Sequence, residues 1–320
     1  MEKILVTGGP GLVGSAVVDA MQKAYPKALV VSHCPGQFDL TREQDVDHIY
    51  DTLHKPGYKL DAVIHCAARV GGIGRNLNTP YKQFTSNILM NTLIIEGAVS
   101  RGIKNLIAFS SACAFPKDAE VMSESNLHSG EPFPAHRSYA YSKRMVDIQI
   151  EALKAEYPDK GFNYCSLIPG NIFGENDNFD LENGHVVPSL IRKAHEASNS
   201  KPRGPLVVWG NGEAKREFIY SRDIAGACVK LLKLPSMPSR VLLTGKEHSI
   251  GSIAEMIATH YGVTTQYDIS KPVGQLSRIG DMTLFNSLFP DFKFTDIKDG
   301  LKKTMEWYSK NYPEVRGVSV

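Results

Sequence analysis

Within fourteen residues the chain passes from an apolar run, Ile4-Leu5-Val6, through Thr7-Gly8-Gly9-Pro10-Gly11-Leu12-Val13-Gly14 into a helical pattern over 14–24. Glycines at 8, 11 and 14 make a GxxGxxG loop. Glycine permits the tight turn after the strand, lets backbone approach a pyrophosphate, and lets the helix pack closely on the strand. The helix that follows turns its unpaired N–H groups toward an anion. Glycines also serve ordinary turns, but the position between a strand and a helix favours a dinucleotide site. The expected fold is therefore α/β: a Rossmann-type doubly wound parallel sheet, with Gly8, Gly11, Leu12, Val13 and Gly14 as cofactor contacts.

The first half continues in the same alternation. Strands are expected over 4–7, 28–32, 62–67, 105–110 and 163–168, and helices over 14–24, 87–100 and 138–157, the last stopped by Pro158. A further helix is expected to open at Thr41, with Gln44 as its capping-box partner. After Pro169 the texture changes, with Gly, Asn and Pro concentrated in 171–183 and 199–205. Two later helices are expected, over 252–260 and 297–311. This divides the chain into a dinucleotide-binding domain, 1–168, and a smaller mixed α/β substrate-binding domain, 169–320, some of whose segments can return to the first.

Lys and Arg total 36 against 34 Asp and Glu, a net charge of +2. Such a balance provides no general field for nucleic acid or membrane, so anionic ligands need a local site. The five cysteines, 34, 66, 113, 165 and 228, form no CxxC pair. Neither a disulfide framework nor a metal site is expected. The first residues show no signal-peptide pattern and no apolar run is long enough to span a bilayer, so the expected location is the cytoplasm.

NAD enzymes tend to place Asp or Glu after the second strand for the ribose 2′-hydroxyl. Here Val31-Ser32-His33-Cys34-Pro35 stands there, and no carboxylate lies between Lys27 and Asp39. A 2′-phosphate would meet no repulsion, and Ser32 and His33 are candidate donors to it. NADPH is the expected cofactor.

Tyr139-Ala-Tyr-Ser-Lys143 puts a phenol and an ammonium one helical turn apart on one face. A nearby ammonium favours phenolate and is expected to lower the Tyr139 pKa. Lys143 can also hydrogen-bond the nicotinamide ribose. Ser111, just past the strand over 105–110, can hold a carbonyl oxygen for Tyr139 to protonate while hydride reaches carbon. Tyr141 is only two residues from Lys143 and points elsewhere.

The chain resembles the extended short-chain dehydrogenases/reductases. Within them it is similar to the branch that acts on GDP-4-keto-6-deoxymannose as a 3,5-epimerase and 4-reductase, giving GDP-L-fucose. The residues that carry the likeness are Ala67-Ala68-Arg69-Val70-Gly71-Gly72-Ile73, Ser110-Ser111-Ala112-Cys113-Ala114-Phe115-Pro116, the Tyr139–Lys143 motif, Asn171-Ile172-Phe173-Gly174, Asp177-Asn178-Phe179, His185-Val186-Val187-Pro188, Val208-Trp209-Gly210 and Arg216-Glu217-Phe218-Ile219-Tyr220.

The resemblance implies Cys113 and His185 as the acid/base pair for epimerisation, with His185 also at the cofactor. It implies NADPH, a homodimer built on the helices starting near Asn87 and Ser138, and Asn171 and Lys271 facing the substrate. A GDP-sugar needs cations for its phosphates: Arg192, Lys193 and Arg216 are the candidates, and Trp209 is one for the guanine. Two positions depart from the branch: Pro10, where some relatives carry Arg, and Gly170, where relatives have Thr. A UDP-sugar 4-epimerase and a non-catalytic NADP-binding regulator are the alternatives.

Overall fold

The computed structural model describes residues 1–270 and 278–318. In chain order its first part runs β1 (Lys3–Thr7), α1 (Leu12–Ala24), β2 (Leu29–His33), α2 (Glu43–Leu53), β3 (Ala62–His65), α3 (Ile73–Asn78), α4 (Pro80–Ser100), β4 (Asn105–Phe109), β5 (Val121–Met122), α5 (Arg137–Glu156) and β6 (Asn163–Pro169). It continues with β7 (Asn171–Phe173), α6 (Val186–Asn199), β8 (Leu206–Trp209), β9 (Lys215–Tyr220), α7 (Ser221–Leu231), β10 (Arg240–Leu243), β11 (Lys246–Ser249), α8 (Ile250–Tyr261), β12 (Thr265–Asp268), β13 (Ile279–Gly280), α9 (Thr283–Leu288) and α10 (Ile297–Asn311).

The main sheet has the order β10-β6-β4-β3-β1-β2 and every pairing in it is parallel. All residues of β1 and β3 are buried, as the continuous apolar runs require of strands covered on both faces. Successive side chains point to opposite faces. Ile4, Val6 and Ile64 pack under α1 and α7, whereas Leu5 and Val63 pack under α2, α4 and α5. The strand order reverses between β1 and β3, and the glycine loop leaves β1 at that switch point, the usual ligand crevice of such sheets.

A second core joins β7, β8 and β9 to α6, α8 and α10 around Phe173, Phe179, Leu190, Ile253 and Tyr308. The chain after residue 169 also contributes to the main sheet: β10 pairs with β6, and α7 packs on α1. At the β10 junction the Arg240 guanidinium pairs with Asp147 (3.0 Å) and Glu151 of α5.

α1, α5 and α8 begin one or two residues earlier than the sequence expectation, and two further helix starts differ from it for a visible reason. α2 begins at Glu43, with Arg42 at the cap position, because the Thr41 hydroxyl donates to Asp39 instead (2.7 Å). α4 begins at Pro80, before Asn87, and proline at the first helical position costs no hydrogen bond. All five cysteines are free thiols. Among the described residues no helix is long and apolar enough to cross a membrane.

Candidate active site

The glycine loop is shaped by close approach. Gly8 has φ +69°, and a Cβ there would stand 2.8 Å from the backbone of Ala67, just past β3. A Cβ at Gly14 would collide with the carbonyl oxygen of Gly8. The Gly11 N–H donates to that same oxygen (3.0 Å), and Gly11 caps α1 without a side-chain acceptor. Over Gly11, by contrast, a Cβ would meet only Gly8 O at 3.3 Å and Arg316 Nη1 at 3.9 Å. The loop therefore wraps the N-terminus of α1, where the unpaired N–H groups of the first turn can receive a pyrophosphate. Leu12 and Val13 form the first turn beside it.

At the end of β2, Ser32 lies against Gly9, where a Cβ would overlap its hydroxyl. His33 is 7% exposed, and its Nε2 donates to the Phe38 carbonyl (3.0 Å). Its Nδ1 is buried without a hydrogen-bond partner among the described residues. A neutral ring held this way can only accept at Nδ1; it donates to a 2′-phosphate only as imidazolium.

A polar chain that the sequence reading missed ties this loop to α5. The Ala67 N–H donates to Thr7 Oγ1 (3.2 Å), and the Thr7 hydroxyl donates to His65 Nδ1 (2.7 Å). His65 Nε2 donates to Asn91 Oδ1 (3.1 Å), and Asn91 Nδ2 to the Ser142 carbonyl (3.4 Å). This tautomer satisfies every link. Burial pushes the His65 pKa down to about 3, which keeps the ring neutral.

Ser111 lies just past β4 and accepts the Cys113 N–H (3.2 Å), opening a short 3₁₀ turn over 112–114. Tyr139 stands in the first turn of α5, and the Lys143 Nζ lies 5.9 Å from its ring centre. Lys143 is 3% exposed, donates to the Phe109 carbonyl (2.8 Å), and is brought down to about 8 by burial. The expected depression of Tyr139 by Lys143 is not what the site does. Burial raises the phenol well above its ordinary value, and nearby Cys113 adds to this against a hydrogen bond with Ser111. Desolvation sets the sign here, so the phenol keeps its proton. Tyr141 points away and donates to Glu131 (2.7 Å).

The Cys113 thiol is likewise raised by burial, opposed by the Ser111 hydrogen bond and by the charges of Arg278 and Arg216. Arg278 is a site residue that no motif marks. Its guanidinium donates to the carbonyls of Pro116 (3.2 Å) and Ala112 (3.4 Å), on the two sides of Cys113.

His185 precedes α6 and is about half exposed, its Nδ1 4.0 Å from Asp177 Oδ1. Burial raises the Asp177 carboxyl, opposed by His185, the Asn178 N–H and Arg316. The loop before His185 reaches the sheet edge: the Gly72 N–H donates to the Asn183 carbonyl (2.9 Å).

The remaining candidates separate. Asn171 opens β7 and donates to the Glu217 carbonyl (3.0 Å). Arg216 is next to Glu217 on β9. Lys193 lies 4.8 Å from the ring centre of Trp209, which is 57% exposed and not a core residue. Arg192, expected at a phosphate, is committed elsewhere. It pairs with Glu196 (2.7 Å) and donates to the carbonyls of Phe179 (3.2 Å) and Gly317 (2.9 Å), an internal tie for its charge. Lys271 lies outside the described residues.

Residues 4–242 match the family described as the NAD dependent epimerase/dehydratase family. A Drosophila melanogaster protein named probable GDP-L-fucose synthase is 31% identical over 99% of this chain and its own whole length. GDP-L-fucose synthase 1 of Arabidopsis thaliana is 35% identical over 97% of this chain and 94% of its own. The crystal structure of a GDP-L-fucose synthetase from Naegleria fowleri bound to NADP is 31% identical and superimposes with a TM-score of 0.89, covering 98% of this chain and 95% of that one. The match extends from the first strand of the glycine loop to the sixth strand of the main sheet, and the chain belongs to the NAD dependent epimerase/dehydratase family.

Proposed function

We propose that this protein converts GDP-4-keto-6-deoxy-D-mannose to GDP-L-fucose, inverting C3 and C5 and then reducing the 4-ketone with NADPH. The observation that carries the reading is one sheet edge bearing Ser111, Tyr139 and Lys143 together with Cys113 under the charges of Arg278 and Arg216. The names of its full-length relatives support the same product.

The ketone at C4 acidifies the hydrogens on C3 and C5, and reduction destroys it, so both inversions precede reduction. Inversion needs a base and an acid from different directions. Cys113 stands on the sheet edge and His185 at the start of α6 in the second layer, so the two come from different elements. Ser111 holds the C4 oxygen and Tyr139, kept protonated by burial, delivers its proton. Lys143 anchors the nicotinamide ribose. NADPH supplies the hydride, held by Gly8, Gly11, Leu12, Val13 and Gly14, with Ser32 and His33 toward the 2′-phosphate and His185 toward the nicotinamide end. Trp209 covers the guanine beside Lys193, and Arg216 and Asn171 hold the diphosphate and sugar.

This divides the chain into a cofactor half, 1–168, and a substrate half, 169–320, with α7 and β10 returned to the sheet. Exposed Tyr81, Phe84 and Leu89 on α4, with Met145 and Ile148 on α5, suit a homodimer through these two packed helices. The cytoplasm is the proposed location.

The test is purified protein with GDP-4-keto-6-deoxymannose and NADPH, followed by loss of reduced-nicotinamide absorbance, with NADH in parallel. In deuterium oxide the product should carry deuterium at C3 and C5, and Cys113→Ala and His185→Ala should each lose it. No cofactor oxidation, or unchanged incorporation in both variants, refutes the proposal.

A further inference from the structure

Beyond α10 the chain folds back to the glycine loop. Val315 is buried in the second core and Val318 packs against it. The backbone on both sides of Arg316 is pinned: the Phe179 N–H donates to the Arg316 carbonyl (2.9 Å), and Arg192 Nη1 donates to the Gly317 carbonyl (2.9 Å). Gly317, at φ +87°, packs so closely on Asn178 and Asp180 that a Cβ would overlap both. Glycine thus fixes the course of this segment.

That anchoring presents the exposed Arg316 side chain to the N-terminus of α1. Glycine occupies the Gly11 position of such loops so that a pyrophosphate can approach the backbone. The direction in which Gly11 lacks a Cβ is therefore the direction of the phosphates, and Arg316 Nη1 is the side-chain atom within 4 Å of that point, at 3.9 Å. Pro10 brings neither charge nor an N–H to the loop. Arg316 also acts on the buried Asp177 carboxyl, two residues before Phe179.

We propose that Arg316 is a ligand of the dinucleotide pyrophosphate, a cation delivered to the loop by the C-terminal segment. Helix N–H groups and a forked guanidinium then grip the same two phosphates. The assignment rests on the reading of the glycine loop as a dinucleotide site. It explains why Arg192 is spent on Gly317: that hydrogen bond, with the Phe179 N–H, holds the segment in place.

Titration of the purified protein with NADPH and with NADH, followed by nicotinamide fluorescence, tests it. Both nucleotides carry the pyrophosphate, so Arg316→Gln should weaken both by the same factor, roughly tenfold or more. Arg316→Lys should recover part of the loss, and affinity in Arg316→Gln should depend less on salt. Equal affinity in wild type and Arg316→Gln overturns the proposal. A loss confined to NADPH refutes it as well, because it moves the guanidinium to the 2′-phosphate. So does a lowered unfolding midpoint in Arg316→Gln that Arg316→Lys restores without restoring affinity, since that marks a purely structural arginine. A wild type that binds neither nucleotide removes the cofactor reading itself, an outcome distinct from a wild type that binds while Arg316→Gln binds equally.

Discussion

Glu217→Gln should make the protein more stable at neutral pH and remove a pH dependence that wild type shows. Glu217 is 7% exposed on β9, between Arg216 and the second core, and accepts the Gly280 N–H (2.9 Å). Burial raises its carboxyl from an ordinary 4.5 to about 6, with that hydrogen bond working against the rise. The folded state therefore binds the proton more tightly than the unfolded state. Stability from this group is complete below about pH 4.5 and is lost as pH rises through about 6. Above that window the ionised carboxylate costs about 1 to 2 kcal/mol. Glutamine keeps an acceptor for Gly280 without the charge. Urea unfolding at intervals from pH 5 to pH 7.5 should show Glu217→Gln gaining on wild type by about that amount across the series. A constant difference, or a glutamine variant less stable than wild type at the neutral end, refutes the argument that desolvation governs this carboxyl.

Tyr139→Phe should lower NADPH-dependent reduction by roughly 10²–10⁴-fold while NADPH affinity, read by fluorescence titration, stays near wild type; near-normal reduction would remove Tyr139 as the acid. Gly14→Ala should lose dinucleotide binding and about 1–3 kcal/mol of stability, because its Cβ falls on the Gly8 carbonyl and the loop has no slack. Calorimetric titration with NADPH and the urea midpoint read both effects.

What was legible in the sequence was local. Five of the six main-sheet strands show as short apolar runs, β10 being the one missed, and the glycine loop and the Tyr139–Lys143 spacing each lie within eight residues. α10 runs over 297–311 as expected because its start is chemically marked: Asp296 accepts the Lys298 N–H (2.9 Å). Thr41 carried the same kind of mark and misled, because a nearer competitor, Asp39, takes its hydroxyl. The parts that were not legible are assembled across the chain. Arg278 meets the Cys113 turn from more than 160 positions away, and His65 and Asn91 meet Thr7 and Ser142 only through packing.

The same limit explains the two electrostatic misreadings. Sequence spacing places Lys143 one turn from Tyr139, and spacing alone argues for a lowered phenol. Only the fold shows that the ammonium is drawn to the Phe109 carbonyl and that the ring is desolvated, which reverses the sign. Arg192 and Lys193 are adjacent in sequence and were given one role. The helix turns them apart, Arg192 onto the carbonyls of Phe179 and Gly317 and Lys193 onto the face of Trp209. In each case the residue type was informative and its charge was real. Its consequence was decided by which carbonyl, ring or solvent the backbone left within reach, and a charge whose partners come from distant segments cannot be assigned a role until those segments are placed.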